Sequence, residues 1–146
     1  MVIQITLETQ INGYNENMNG IVTDLNNALF HDKDEEGRAK IQNINQIEIK
    51  LKSIGYLTVV NISGPSLRRK IDSEEDYDNL ISEGIIYQAP ANSDTDWYIL
   101  EFAKVNGYDI LSNDCFKQYR NEFGKSWIKK HRKTFMLIKG QLIIQP

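Results

Sequence analysis

Apolar residues along the chain fall into short runs rich in Val, Ile and Leu, separated by stretches with helical spacing. The short runs predict strands at residues 21–23, 56–62, 85–87, 108–111 and 134–138. Between them, apolar residues at three- and four-residue steps predict helices over 35–54, 74–83, 94–103 and 116–123. This alternation predicts an α/β domain with a mostly parallel central sheet and helices on both faces.

The ends of these elements carry capping and turn residues. Asp34 is the predicted N-cap of the first long helix, and Ser73 that of the second. Residues 139–140 predict a tight turn from the last core strand into a short return strand at 141–144.

Residues 1–20 are polar and rich in Asn, and they predict an N-terminal extension. Weak alternation over residues 2–7 suits an edge strand within it. The extension is either a dimer element or padding, so a homodimer stays an alternative. The domain itself is assigned to residues 21–146.

Aspartates follow two of the predicted strands, at the edge where open α/β sheets bind ligands. Asp24 ends the first strand, and Asp114 follows Ser112 and Asn113 at the end of the fourth. Asp96 begins the helix that leads into the fourth strand, so three carboxylates meet at one edge. Like charges held together are costly unless a cation neutralises them. Oxygen ligands without clustered His or Cys favour Mg²⁺ or Mn²⁺. The alternative is that these residues only cap helices and turns.

Asp94 and Asp96 lie two residues apart on one helix start, so they cannot both face the same way. One can cap the helix while the other points into the cleft. We expect Asp96 to face inward, with Asp94 as a further candidate ligand.

Charge is unevenly spread along the chain, whose net charge is −3. Residues 117–146 hold eight Lys or Arg against one acidic residue, which is a balance suited to a polyanion. Tyr119 and Trp127 lie within this segment and can stack on bases or belong to the core. The alternative is a solvated face that pairs with the acidic body. The candidate phosphate contacts are Lys117, Arg120, Lys125, Lys129, Lys130, Arg132 and Lys133.

Several other classes are disfavoured. The single Cys provides no internal disulfide, and two His residues give poor support to a nucleophile–His–acid triad. Neither GxGxxG nor GxxxxGK[ST] occurs, and no apolar run approaches a membrane span. No signal peptide is visible, so we expect a cytoplasmic location.

Three motifs together resemble the PIN-like NYN ribonucleases, in particular their Regnase-type branch. They are Asp24-Leu-Asn-Asn27 after a β-branched strand, the helix start Asp94-Thr-Asp-Trp-Tyr-Ile-Leu, and Leu111-Ser-Asn-Asp-Cys-Phe116. The resemblance covers residues 21–146 and implies a three-layer α/β/α sandwich. It implies that Asp24, Asp96 and Asp114 hold Mg²⁺ or Mn²⁺. Asn27 and Ser112 would support them, with Asn113 beside the cleft.

The chain departs from that family at two positions. Thr95-Asp96 stands where metazoan members usually have two adjacent acids, which bears on the number of metals. Leu25 replaces the usual small residue after the first Asp.

The resulting hypothesis is a metal-dependent endoribonuclease that cleaves single-stranded or loop regions of RNA. A catalytically silent RNA-binding module is the main alternative. A toxin-like PIN nuclease with a protein inhibitor is a weaker one, and a DNA flap nuclease is disfavoured because the chain lacks length for a helical arch.

Overall fold

The computed structural model describes residues 20–145 and contains one central sheet of five parallel strands in the order β3-β2-β1-β4-β5. The strands are β1 Gly20–Asp24, β2 Thr58–Ser63, β3 Ile86–Gln88, β4 Asp109–Leu111 and β5 Arg132–Lys133. Strands β6 Phe135–Ile138 and β7 Gln141–Ile144 form a separate antiparallel hairpin. The predicted extension at residues 1–20 lies outside the described residues, apart from Gly20.

Helices connect the parallel strands, as the alternating pattern predicts. The α-helices are α1 Leu25–Leu29, α2 Gln42–Ser53, α3 Glu74–Ser82, α4 Thr95–Asn106, α5 Arg120–Phe123 and α6 Lys125–His131. Short 3₁₀-helices span Pro65–Lys70 and Lys117–Tyr119. Between residues 20 and 145, no helix combines the length and the hydrophobicity that crossing a bilayer requires.

Two apolar cores lie on opposite faces of the sheet. One core holds α2, α3 and the buried side of the β6–β7 hairpin. The other holds α4, α5 and α6. Between them β1 is buried along its whole length, as a central strand must be. The mostly parallel α/β sandwich predicted from the pattern is therefore confirmed.

The prediction for the last core strand is wrong. Residues 135–138 alternate buried and exposed, and within residues 20–145 they pair only with β7 in the hairpin. The fifth strand of the sheet is instead Arg132–Lys133, which pairs with Ile110 and Leu111 of β4. These two residues join the sheet through backbone hydrogen bonds. Because their side chains are charged, the search for apolar runs did not detect the strand.

Two helix predictions also need correction. Asp34 caps no helix, because its Oδ1 accepts the backbone N–H groups of Glu36 at 2.8 Å and Arg38 at 2.9 Å and closes a turn. The helix starts only at Gln42. The single helix predicted over 116–123 is instead a 3₁₀ turn followed by α5. Phe116 is not part of it, because its backbone is left-handed at φ +52°. By contrast, Ser73 caps α3 as predicted.

A buried polar network ties β4 to the rest of the sandwich. The Tyr56 hydroxyl donates to Oδ2 of Asp109 at 2.6 Å, and Nδ1 of His131 lies 3.0 Å from Oδ1. All three side chains are buried. Burial, followed by the hydrogen bond to Asp109, raises the pKa of Tyr56.

Replacing Asp109 should therefore destabilise the fold. We expect Asp109→Ala to lower the free energy of unfolding by about 3 kcal/mol, because it leaves two buried polar groups without their partner. Asp109→Asn, which keeps one acceptor, should cost less. Urea unfolding followed by circular dichroism measures both, and equal stability of Asp109→Ala and wild type would contradict the role given to this network.

Candidate active site

Asp24 and Ser112 lie side by side at the carboxyl edge of the sheet. β1 and β4 are parallel neighbours with Thr23 opposite Leu111, so the residues that follow each strand meet. The Ser112 hydroxyl is fully buried and donates to Oδ2 of Asp24 at 2.7 Å. Asp24 is itself only 5% exposed, so the hydrogen bond from this hydroxyl replaces one that its carboxylate would otherwise accept from water.

Asp114 is linked to the same hydroxyl through its backbone. The Asp114 N–H donates to Oγ of Ser112 at 3.0 Å. One carboxylate oxygen of Asp114 accepts the Phe116 N–H at 2.9 Å, where the chain turns through the left-handed conformation. The turn role foreseen as the alternative is thus present, but it uses Oδ1 and leaves Oδ2 for other contacts.

Asp96 approaches both of these carboxylates from the first turn of α4. Burial, then the negative charges of Asp24, Asp114 and Asp94, raise the pKa of Asp96 to about 7. Burial also raises the pKa of Asp24 to about 6, against the lowering effect of the Ser112 hydroxyl. The structure therefore brings Asp24, Asp96 and Asp114 into one electrostatically coupled group.

Asp94 points elsewhere and caps α4. Its Oδ1 accepts the backbone N–H of Asp96 at 3.0 Å, and its Oδ2 accepts the Gln118 amide at 3.1 Å and the Tyr119 hydroxyl. Because both oxygens accept hydrogen bonds from neighbouring protein groups, this geometry favours a positioning role. Metal binding by Asp94 stays a prediction.

A second contact strengthens this connection between α4 and the segment after Asp114. The indole N–H of Trp97 donates to Oε2 of Glu122 at 2.9 Å. Together with the Asp94 contacts, it fixes the helix turn that carries Asp96 against the loop that carries Asp114.

Asn27 and Asn113 hold the loops around the acids. Oδ1 of Asn27 accepts the Asn113 N–H at 2.9 Å. The Asn113 amide then exchanges two hydrogen bonds of 3.0 Å with the backbone of Phe135, which attaches the hairpin to the site. All the supporting residues named from the sequence thus lie at this edge, and their functional role remains a proposal.

Two further side chains at this edge were missed by the sequence reasoning. Asn26 accepts the Gly64 N–H at 3.0 Å and so ties the end of β2 to α1. His31 lies exposed, with Nε2 3.4 Å from the Asn113 amide nitrogen. Asn26 could have been predicted from the Asp-Leu-Asn-Asn order, since both asparagines closely follow the strand. Nothing in the sequence indicated His31 except its position four residues after Asn27.

The basic residues of the C-terminal segment differ in exposure. Lys117, Lys125, Lys129 and Lys130 are exposed, whereas Arg120, Arg132 and Lys133 are partly buried. Nη1 of Arg132 donates to the Ser112 carbonyl at 3.3 Å. Arg132 and Lys133 belong to β5 and are only partly exposed, and their contact with RNA stays a prediction.

The donor set suits a hard divalent cation. Carboxylate and hydroxyl oxygens are the ligands that Mg²⁺ and Mn²⁺ take. Within residues 20–145, no Lys, Arg or His forms an ion pair with Asp24, Asp96 or Asp114. In the same part of the chain, no three His, Cys, Asp or Glu side chains are already gathered as a ligand cluster. The oxygen ligands present therefore suit a divalent cation. The carboxylates would have to move closer together to bind it.

The raised pKa values predict that the metal-free protein loses stability as the pH rises. The folded pKa of Asp24, about 6, lies above its ordinary value of 3.8. Between these values the folded state binds more protons than the unfolded state, so the free energy of unfolding falls with increasing pH. In EDTA, Asp24→Asn should be more stable than wild type by about 2 kcal/mol at pH 8.

At pH 4 this difference should vanish, because the wild-type carboxyl is then protonated in the fold. Asp76→Asn, at an exposed position on α3, is the matched control and should show no such pH dependence. Thermal melts at both pH values measure the effect. A wild-type protein at least as stable as Asp24→Asn at pH 8 in EDTA would contradict the raised pKa.

Comparison with known proteins agrees with this architecture. Residues 18–141 match the family described as "Zc3h12a-like Ribonuclease NYN domain". No curated protein matches the sequence. A crystal structure of nuclear proteinaceous RNase P 2 from A. thaliana is similar with a TM-score of 0.63 and 18% identity, over 85% of this chain and 29% of that one.

A second structure, of Arabidopsis thaliana nuclear protein-only RNase P 2, gives a TM-score of 0.64 and 20% identity, over 88% of this chain and 30% of that one. The chain thus spans less than a third of these proteins, and the likeness shows the fold. Since the family match covers most of the sequence, the chain belongs to the Zc3h12a-like ribonuclease NYN domain family.

Proposed function

We propose that this domain is an endoribonuclease of the Regnase-type branch that hydrolyses RNA with bound Mg²⁺ or Mn²⁺. Membership of a ribonuclease family supports RNA as the substrate. The observation that carries the proposal is the buried Asp24, joined through the Ser112 hydroxyl to the loop of Asp114 and coupled to Asp96.

In this proposal each residue at the sheet edge has a defined task. Asp24, Asp96 and Asp114 would hold the cation, which would supply a means to orient water and to neutralise charge that develops on the phosphate. Ser112 keeps the Asp24 carboxylate in place, and Asn27 fixes the backbone at Asn113. The partly buried position of the three acids limits competition from bulk water.

The RNA backbone would follow the basic surface that leaves this site. The segment after Asp114 carries the exposed lysines, and Arg132 reaches back to the Ser112 carbonyl. Trp127 is partly buried and packs on His131, with ring centroids 4.9 Å apart, so it serves the core more than base stacking. Unpaired or loop RNA suits such a surface, because its phosphates and bases are both accessible.

The alternative of a silent RNA-binding module has one specific observation in its favour. Thr95 occupies a position where metazoan Regnase-type members usually have an acid, and its Oγ1 lies beside Gly64. A site with one fewer carboxylate binds a dication more weakly. The two functions are separated by the following experiment.

We expect Asp114→Asn to reduce cleavage of an unstructured RNA by about 100-fold or more in Mn²⁺, because the amide lacks the charge that holds a hard dication. Turnover is followed on a labelled oligonucleotide with and without EDTA. Asp76→Asn is the matched control and should cleave like wild type.

A cap role alone predicts another result, since Asn caps as well as Asp does. Full activity of Asp114→Asn would remove the metal-site argument. Wild-type RNA binding without any metal-dependent cleavage would favour the silent module.

The basic segment gives a separate prediction about binding. Lys129→Glu with Lys130→Glu should weaken RNA binding about tenfold or more at low salt and reduce the salt slope by about 1–2, because phosphate contacts release counterions. The matched control is Lys50→Glu with Lys52→Glu on α2, which packs on the opposite face. Fluorescence anisotropy over a salt series measures both pairs. An equal loss in both would mean that only net charge matters.

A further inference from the structure

An apolar groove of about 430 Å³ opens at the carboxyl edge of the sheet, beside the acidic group. The end of the groove nearest that group is lined by Ala89 and Pro90, which follow β3, and by Trp97, which directly follows Asp96. From there the groove runs between β3 and α4 as far as Val105, near the end of the helix. A nucleotide chain with a phosphate at the acids therefore has this groove next to it.

Aromatic rings line both sides of the groove. Tyr87 pairs with Ile62 across β3 and β2, so its side chain projects on the face of the sheet that α4 covers. Tyr98 and Phe102 lie one turn apart on α4 and line the other side. Within residues 20–145 the three rings remain 56%, 37% and 37% exposed, in the order named. Rings that stay exposed on two sides of a cleft suit a flat aromatic ligand.

The core of the domain does not account for these rings. α4 already buries Ile99, Leu100 and Ala103 completely against the sheet. Tyr98 and Phe102 lie outside that buried stripe, so much of their surface remains available to a ligand. Exposed apolar surface gathered in one groove indicates a binding site more often than scattered single residues do.

We propose that this groove binds one unstacked base of the RNA whose phosphates lie at the acidic edge. The inference rests on the proposed function and adds a site for a base to it. The groove volume lies within the range of about 300–1,000 Å³ that small-ligand clefts have. A base in the groove stacks on the tyrosine rings, a contact that any base can make because each has a flat π face.

The charges around the groove agree with this separation of base and backbone. In residues 20–145 the groove lining contains no Lys or Arg but includes Glu101, which repels a phosphate chain. The exposed Lys117 and Lys125 flank α5 instead, and Trp97 contacts that helix through its indole N–H, which donates to Glu122 at 2.9 Å. The backbone thus has a basic surface and the base an aromatic one, with Trp97 between them.

The size of the groove favours a base over a second copy of the chain or another protein. Eleven residues line the groove. A standard protein–protein interface takes about 20–30 residues on each side. A single planar base fills a slot of this kind without any further contact surface.

A comparison of RNA with a base-free chain tests the proposal. The probes are a short unstructured RNA and an abasic ribose-phosphate chain of the same length, both in EDTA so that neither is cleaved. We expect Tyr98→Ala to weaken RNA binding about tenfold, because the base loses a stacking partner, and to leave binding of the abasic chain unchanged. Tyr87→Ala, on the opposite side, should give the same pattern. Fluorescence anisotropy measures both affinities.

Two control variants separate the ring from other effects. Tyr98→Phe retains the ring and should bind RNA like wild type. Ile49→Ala removes a side chain that is 56% exposed on α2, on the other face of the sheet, and should change neither affinity. Melting temperatures show that each variant is folded.

A fluorescent base reports stacking directly. RNA that carries 2-aminopurine should lose fluorescence severalfold on binding to wild type or Tyr98→Phe, because a stacked 2-aminopurine is quenched. Tyr98→Ala and Tyr87→Ala at saturating concentration should quench it clearly less. Equal quenching by wild type and both alanine variants would contradict the base site.

The outcomes separate this inference from the proposed function. Equal RNA affinity of wild type, Tyr98→Ala and Tyr87→Ala would overturn the base site and leave the ribonuclease proposal standing. An equal loss on RNA and on the abasic chain would overturn it too, and a wild-type protein that binds no RNA would overturn both proposals. Absence of metal-dependent cleavage bears on the proposed function alone, because these affinities are measured in EDTA.

Sedimentation without RNA examines the remaining occupant. We expect wild type and Tyr98→Ala to sediment alike. A wild-type dimer that Tyr98→Ala converts to a monomer would assign the groove to a second copy and overturn the proposal.

Discussion

The hydroxyl of Ser112 is the interaction on which the candidate site depends. It donates to the buried Asp24 carboxylate and accepts the backbone N–H of Asp114, so one oxygen joins the ends of β1 and β4. A hydroxyl can do both at once because it has one proton and two lone pairs. The parallel register of the two strands places it there, and Asp96, Asn27 and the hairpin are arranged around that pair of strand ends. The local chemistry is therefore a consequence of sheet topology.

Much of this fold could be predicted because its parallel strands are buried on both faces and appear as continuous apolar runs. The central strand β1 is the clearest case, since all its residues are buried. Strand β5 could not be found in this way. Its Arg132 and Lys133 join the sheet by backbone hydrogen bonds while their side chains carry charge. The apolar run after them attracted the prediction instead, although it is buried on one side only and belongs to a hairpin.

The candidate site was predictable to the extent that it follows from strand ends. Asp24 and Asp114 were found because they follow apolar runs, and parallel strands bring such positions together. The difference between Asp94 and Asp96 depends on which carboxylate caps α4 and which faces the cleft. That choice is fixed by Gln118 and Tyr119, which approach Asp94 from a segment more than 20 residues away. A contact between such distant segments cannot be predicted from the residues around Asp94. The same is true of the position of Arg132 beside Ser112.

The way in which the acids are stabilised is informative about their use. Asp24 receives hydrogen bonds from neutral donors, and in residues 20–145 no cationic side chain pairs with Asp24, Asp96 or Asp114. A nearby Lys or Arg would lower the pKa of these carboxyls and stabilise the fold. It would also neutralise the negative charge that a bound metal ion needs. Neutral donors orient the carboxylates and leave the charge uncompensated, which costs stability in the absence of a ligand. Natural proteins retain local costs of this kind mainly at functional sites, where a ligand supplies the missing partner.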